Sequence, residues 1–137
     1  PAVPFRLNDR VTLTQELAEL FDRDLRRLAQ QIEAFPNDAL LWETRPGLAN
    51  SAGNLALHLE GNLREFLGRQ FGGVPYVRQR DLEFSTRNLS RAELSERITK
   101  LRQVLGEVFA AAPNLDADSG ETRFGVPMSW RQFALHL

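Results

Sequence analysis

No cysteine occurs among the 137 residues. That removes disulfides, thiolate metal sites and a cysteine nucleophile together, and it fits a cytoplasmic protein. Lys100 is the only lysine, so almost all positive charge is arginine. Net charge is −1, which argues against nucleic acid as a partner, because phosphate contacts need a basic surface. No run of eighteen apolar residues is present, so no membrane-spanning helix is expected. Pro1 to Arg10 lack the apolar stretch of a secretory signal, and none is expected. No Gly-x-Ser-x-Gly elbow and no Gly-x-x-x-x-Gly-Lys-Ser/Thr phosphate loop appears. What remains is ordinary: 42% apolar and 26% charged residues, the composition of one globular domain with a core that needs no staples.

Apolar residues recur at three- and four-residue spacing along three long stretches, the signature of amphipathic helices. The first follows a short extended arm, Pro1 to Leu7, with Asn8 or Asp9 as cap. It runs to about Ala34 through Leu13, Leu17, Leu20, Phe21, Leu25, Leu28 and Ile32, and Pro36-Asn37-Asp38 stops it. Ala39 to Trp42 form a short helical turn, and Thr44 to Gly47 a loop. The second helix is capped by Asn50 or Ser51 and runs to about Gln70, where Gly72-Gly73 ends it. Val74 to Asn88 reads as a loop of unusual length. Its Arg78, Arg80 and Arg87 either pair with Asp81 and Glu83 or form an anion-binding loop. Ser90 and Glu93 make a capping box for a third helix reaching about Ala111, stopped by Pro113. Asn114 to Thr122 reads as a mobile acidic loop, and Arg123 to Met128 as a short extended or hairpin segment. A second capping box, Ser129 and Gln132, opens a fourth helix to Leu137.

The second helix is the informative one. Leu55, Leu59, Leu63, Phe66 and Leu67 form an apolar stripe, and Asn54, His58 and Asn62 form a polar row beside it, each one turn from the next. A polar row at a buried seam needs partners. The chain has two histidines, His58 and His136, on the second and fourth helices, which can face each other across a bundle core. Two imidazoles begin a metal site, and Asp22, Asp24, Asn54, Asn62 or Glu65 are candidates for a third ligand. A buried histidine satisfied by its neighbours is the other reading of His58. Glu60 and Glu65 are candidate general bases or simply solvated, and Trp42 and Trp130 read as core aromatics.

The residues Trp42-x-x-x-Pro46-Gly47, Asn50-Ser51-x-Gly53-Asn54-Leu55-x-x-His58-Leu59-x-Gly61-Asn62-Leu63-Arg64, Gly72-Gly73, Arg78-x-Arg80-Asp81-x-Glu83-Phe84 and Gly125-Val126-Pro127 together resemble the DinB-like superfamily. The likeness continues through Trp130-Arg131-Gln132-Phe133-Ala134-Leu135-His136-Leu137. It implies an all-α four-helix bundle in up-down-down-up order, often a homodimer. It also implies a divalent metal ion, nickel or zinc, on three histidines: one at the position of His58 and two, four residues apart, on the fourth helix. His136 is then one of that pair or lies one turn before both. Characterised relatives include thiol-dependent transferases and a thiol-dependent isomerase, so the resemblance implies a low-molecular-weight thiol as partner, with Asn54, Asn62 or Glu65 in hydrogen-bonding support of the ligands. The rival is a non-catalytic dimeric bundle with a structural or vestigial metal site. The last helix spans roughly 13 Å at 1.5 Å per residue, against about 30 Å for the others. It therefore reads as truncated, in a chain expected to be a fragment or to be completed by a missing segment.

Overall fold

The structure, a computed structural model, describes residues 12–111 and 113–137. The expected arm, Pro1 to Leu7, and the expected caps Asn8 and Asp9 lie outside the described residues. Helix α1 spans Leu13–Glu33 and is capped by Thr12, whose hydroxyl accepts from the Gln15 amide while the Gln15 side chain accepts from the Thr12 amide. Both orphan donors are thereby satisfied. Asp38 precedes a single 3-10 turn, Ala39–Trp42. Helix α2 spans Ala52–Leu63, with Ser51 as its cap, and passes directly into a π-helical segment, Arg64–Phe71. The second helix thus has the expected extent, but its latter half is wound more widely.

The stretch read as one long loop contains a six-residue helix, α3, Arg80–Ser85. Helix α4, Arg91–Ala110, opens on the expected Ser90–Glu93 capping box. Strands β1, Asp118–Arg123, and β2, Val126–Ser129, form an antiparallel hairpin. Part of the expected mobile loop is therefore strand. Between the strands, Phe124 and Gly125 have φ of 54° and 75°. Positive φ at both central residues is the type I′ turn that matches the twist of paired strands. Helix α5, Trp130–His136, opens on the Ser129–Gln132 capping box.

The chain is thus mostly helical, with a small two-stranded sheet. A clean all-α four-helix bundle was expected, and the hairpin and α3 depart from it. Helices α1 and α4 lie antiparallel. Ser95 near the start of α4 donates to Glu33 at the end of α1 at 2.7 Å, Arg102 meets Asp22 at 2.9 Å, and Phe109 stacks on Phe21 near the start of α1 at 5.8 Å between centroids. The core lies between this pair, α2 and the short elements. Leu41, Leu67, Leu94, Ile98, Leu101 and Phe133 are its most buried apolar members.

Helix α2 presents a different face from the one its leucines suggest. Leu63 and Leu67 are buried, but Leu55 and Leu59 are 48% and 40% exposed. The inward face is Gly53, Asn54, Ala56, Leu57, Glu60 and Gly61. Two close approaches fix this rotation. The Trp42 ring lies so near Gly53 that a Cβ there would sit 2.6 Å from it, and α3 packs over Gly61. Leu59 and Leu63 of α2 line an open, mostly apolar groove of 340 Å³. Leu17, Leu20 and Phe21 of α1 and Ala134, Leu135 and Leu137 complete its walls.

Candidate functional site

The site begins with an unstable element. A helix of six residues cannot pay for its own nucleation, and its last carbonyls have no partners within it. Helix α2 supplies them. The Asn54 amide group donates to the backbone oxygens of Glu83 and Thr86, each at 3.0 Å. Its own oxygen accepts from the Ser51 hydroxyl at 2.6 Å and from Arg87 at 2.8 Å. The same Arg87 nitrogen donates to the carbonyls of Phe84 and Thr86. All of Asn54's hydrogen-bonding capacity is used, and it is 1% exposed.

Fastened in this way, α3 turns the Glu83 side chain back toward α2, where His58 stands one turn beyond Asn54. Glu83 Oε1 lies 3.0 Å from His58 Nδ1. Arg78 grips the same carboxylate with two hydrogen bonds of 2.8 Å, Nε to Oε2 and Nη2 to Oε1. The Phe84 ring packs on the imidazole with centroids 5.1 Å apart. The Glu83 side chain is 7% exposed, and that of His58 is 34% exposed. Burial pushes the Glu83 carboxyl up, but the hydrogen bonds from Arg78 and His58, with the positive charge of Arg78, outweigh it and hold the group below the ordinary glutamate range. Hydrogen bonding to Glu83 in turn raises Arg78.

The geometry assigns the imidazole proton. Nδ1 has two neighbours: the carboxylate at 3.0 Å and Arg78 Nη2 at 3.5 Å. An ionised carboxylate can only accept, so a lone pair on Nδ1 would face its oxygen at 3.0 Å, and the Arg78 contact at 3.5 Å is too long to offset that. Nδ1 therefore carries the proton and donates to Glu83. In the neutral ring this leaves the lone pair on Nε2, which has no hydrogen-bond partner among the described residues. A carboxylate behind one nitrogen with the other left open is how proteins orient a metal-binding histidine. It is equally how they orient a general base.

A second polar cluster lies further along α2. Glu60 is 3% exposed and accepts from Arg64 at 2.9 Å and from Arg97 of α4 at 2.8 Å. This ties α2 to α4 rather than presenting a free base. Tyr76 lies close by, and burial together with Glu60 and Glu83 raises its hydroxyl above the usual tyrosine value.

The other residues singled out in the sequence have separate surroundings. His136 is exposed on α5, beside the rings of Phe133 at 6.3 Å and Phe124 at 6.0 Å between centroids. Asp24 pairs with Arg23 at 2.8 Å, and Asp22 with Arg26 and Arg102. Glu65 accepts from Arg69 and Gln70, and Asn62 is half-buried. Among the described residues no three His, Cys, Asp or Glu side chains are grouped to hold a metal ion. Of the two histidines, His58 has a carboxylate behind one ring nitrogen, and His136 has none among the described residues. Arg78 pairs with Glu83, as one reading of the loop held, whereas Arg80 lies over the Phe84 ring at 5.4 Å.

Glu83 is the residue that the sequence reading did not single out for the site. One signal called for a close neighbour beside His58, without naming Glu83. Gly61 sits in the interior of α2, on the turn after His58, where glycine weakens a helix and calls for a packing reason. The chain matches no family model, no curated protein and no solved structure.

Proposed function

We propose that the protein binds a divalent metal ion, of the nickel or zinc kind, through His58 Nε2. The observation that supports this reading is the buried, arginine-clamped Glu83 at 3.0 Å from His58 Nδ1, which leaves the second nitrogen without a hydrogen-bond partner among the described residues on a side chain that is 34% exposed. Zinc-type sites use three or four protein ligands, so the set is larger than His58, and His136 is the next candidate. Such an ion lowers the pKa of a bound thiol or water, which suits the thiol-dependent transfer chemistry implied by the DinB-like resemblance. The residues of this chain contribute orientation. Arg78 fixes the carboxylate, the carboxylate fixes the imidazole, and Phe84 shields one face of the ring.

Equilibrium titration of the metal-free protein with zinc or nickel tests the reading. Tight binding that falls at least tenfold in His58→Ala, with the far-ultraviolet circular dichroism unchanged, is the expected result. Equal affinity in the two proteins excludes His58 as a ligand.

A non-catalytic homodimer is the second reading, and the open groove favours it. Leu20 and Leu135 on its rim are 43% and 65% exposed, and contiguous apolar surface of this kind marks an interaction face. On this reading sedimentation equilibrium gives a dimer that Leu20→Glu dissociates. A monomeric parent protein at micromolar concentration excludes it.

A further inference from the structure

We propose that Gly61 is a positioning residue, whose missing side chain admits the Glu83 carboxylate to His58 and thereby sets the tautomer of the imidazole. The inference takes its purpose from the metal-binding reading, while its geometry stands without it. Gly61 lies three residues beyond His58 on α2 and faces inward. A Cβ built there would be 2.0 Å from Glu83 Oε2 and 2.6 Å from the carboxyl carbon. Both distances are far inside van der Waals contact, so backbone or carboxylate must move.

The backbone is held. Asn54 bonds the Glu83 carbonyl, and α2 is anchored to α4 through Glu60 and Arg97. The carboxylate is the movable end, and displacement takes it from His58 Nδ1. No other described acceptor bonds that nitrogen, and the next neighbour is the donor Arg78 Nη2 at 3.5 Å. An imidazole relieved of a carboxylate at Nδ1 and facing a guanidinium instead turns its lone pair to Nδ1 and its proton to Nε2. That closes the open nitrogen. Alanine is otherwise favoured over glycine in a helix interior by about 1 kcal/mol. A glycine kept there for packing alone would tolerate the exchange with the Glu83–His58 hydrogen bond intact and the ring unaltered.

Long-range proton–nitrogen correlation spectra of the His58 ring, recorded on the full chain above the imidazole titration, test this without any metal. Wild type is expected to show a protonated Nδ1 and an unprotonated Nε2. Gly61→Ala is expected to reverse the two, with its circular dichroism retained. Glu83→Ala should reverse them as well, and adding Gly61→Ala to Glu83→Ala should change nothing further, because the clash is then gone. Zinc affinity, read with Zn²⁺ alone, should fall about ten- to a hundredfold in Gly61→Ala. A protonated Nε2 in wild type, or a ring unaltered by Gly61→Ala, overturns the proposal. A wild type with the expected tautomer and no zinc binding upholds the positioning role and removes the metal-binding reading.

Discussion

Replacing Asn54 by alanine isolates the joint on which the site depends. The side chain is 1% exposed and makes two donated and two accepted hydrogen bonds. Their loss is unequal. Ser51 keeps its capping bond to the backbone amide of residue 54, and Arg87 keeps the Phe84 and Thr86 carbonyls. Thr86 keeps Arg87 as donor, but the Glu83 carbonyl loses the one side chain that reaches it. Two net hydrogen bonds at about 1 kcal/mol each, with a further 1 kcal/mol or so for a carbonyl left unpaired in a buried place, give a loss of about 3 kcal/mol. The gain in helix propensity from asparagine to alanine returns about 0.6 kcal/mol. The expected destabilisation is therefore about 2 to 3 kcal/mol in urea unfolding followed by circular dichroism, with the slope unchanged. Leu55→Ala, one position along and 48% exposed, is the control and should lose under about 1 kcal/mol. An Asn54→Ala protein within about 0.5 kcal/mol of wild type would refute the reasoning, since α3 would then be held by something other than this amide.

Other perturbations have equally definite outcomes. Glu83 has a lowered folded-state pKa, so its ionised form contributes stability that is present above the ordinary glutamate value of about 4.3 and is lost as pH falls below it. Unfolding measured from pH 7 to pH 3 should show this loss, and Glu83→Gln should flatten that part of the profile; an unchanged profile counts against the ion pair. Glu60→Gln leaves Arg64 and Arg97 short of a counter-charge, and with Arg97 partly exposed the cost should be about 1 to 3 kcal/mol by denaturant titration. A neutral effect would mean that solvent already screens the cluster. Arg78→Met removes both bonds to the Glu83 carboxylate and should weaken zinc binding about ten- to a hundredfold, with far-ultraviolet circular dichroism retained; an unchanged affinity would show that the imidazole needs no clamp.

The helices were legible where local chemistry decides them. Ser90 with Glu93, Ser129 with Gln132, and Ser51 are caps in sequence and in structure alike. The end of α1 and the extent of α4 follow from their apolar period, whereas α1 starts later than expected, on a Thr12 cap rather than Asn8 or Asp9. The orientation of α2 did not follow, for a physical reason. Leu55, Leu59, Leu63 and Leu67 recur every fourth residue and outweigh, on any hydropathy count, a face made of Gly53, Asn54, Glu60 and Gly61. That face is inward only because Trp42, α3 and Arg97 arrive from elsewhere in the chain, and periodicity carries no information about arrivals. The same limit hid α3. Arg80 to Ser85 have little helical pattern of their own, and their helix rests on Asn54 and Arg87 reaching its final carbonyls. His58 stood out because it lies in a polar row beside the apolar stripe and is one of two histidines. Glu83 did not, because it is one of many acidic residues and only the fold brings it to the ring.

The inward face of α2 is expensive by the standards of a helix that merely packs. Two glycines weaken it, and an asparagine and a glutamate must each be fully partnered to be tolerated there. A bundle needing only cohesion would satisfy the same space with alanine and leucine. Each of these choices instead serves a neighbour. Asn54 holds the backbone of α3, Gly61 leaves room for the carboxylate, and Glu60 locks the helix against α4 just beyond the site. Immediately afterwards, at Arg64, the winding widens into the π segment, which carries Phe66 edge-on to Phe133 at 5.0 Å and so receives α5. Wide turns of this kind are frequent at functional sites. The concentration of tolerated penalties within three turns surrounds a single imidazole whose Nδ1 is held by a carboxylate and whose Nε2 has no hydrogen-bond partner among the described residues, and the metal-binding proposal builds on that arrangement.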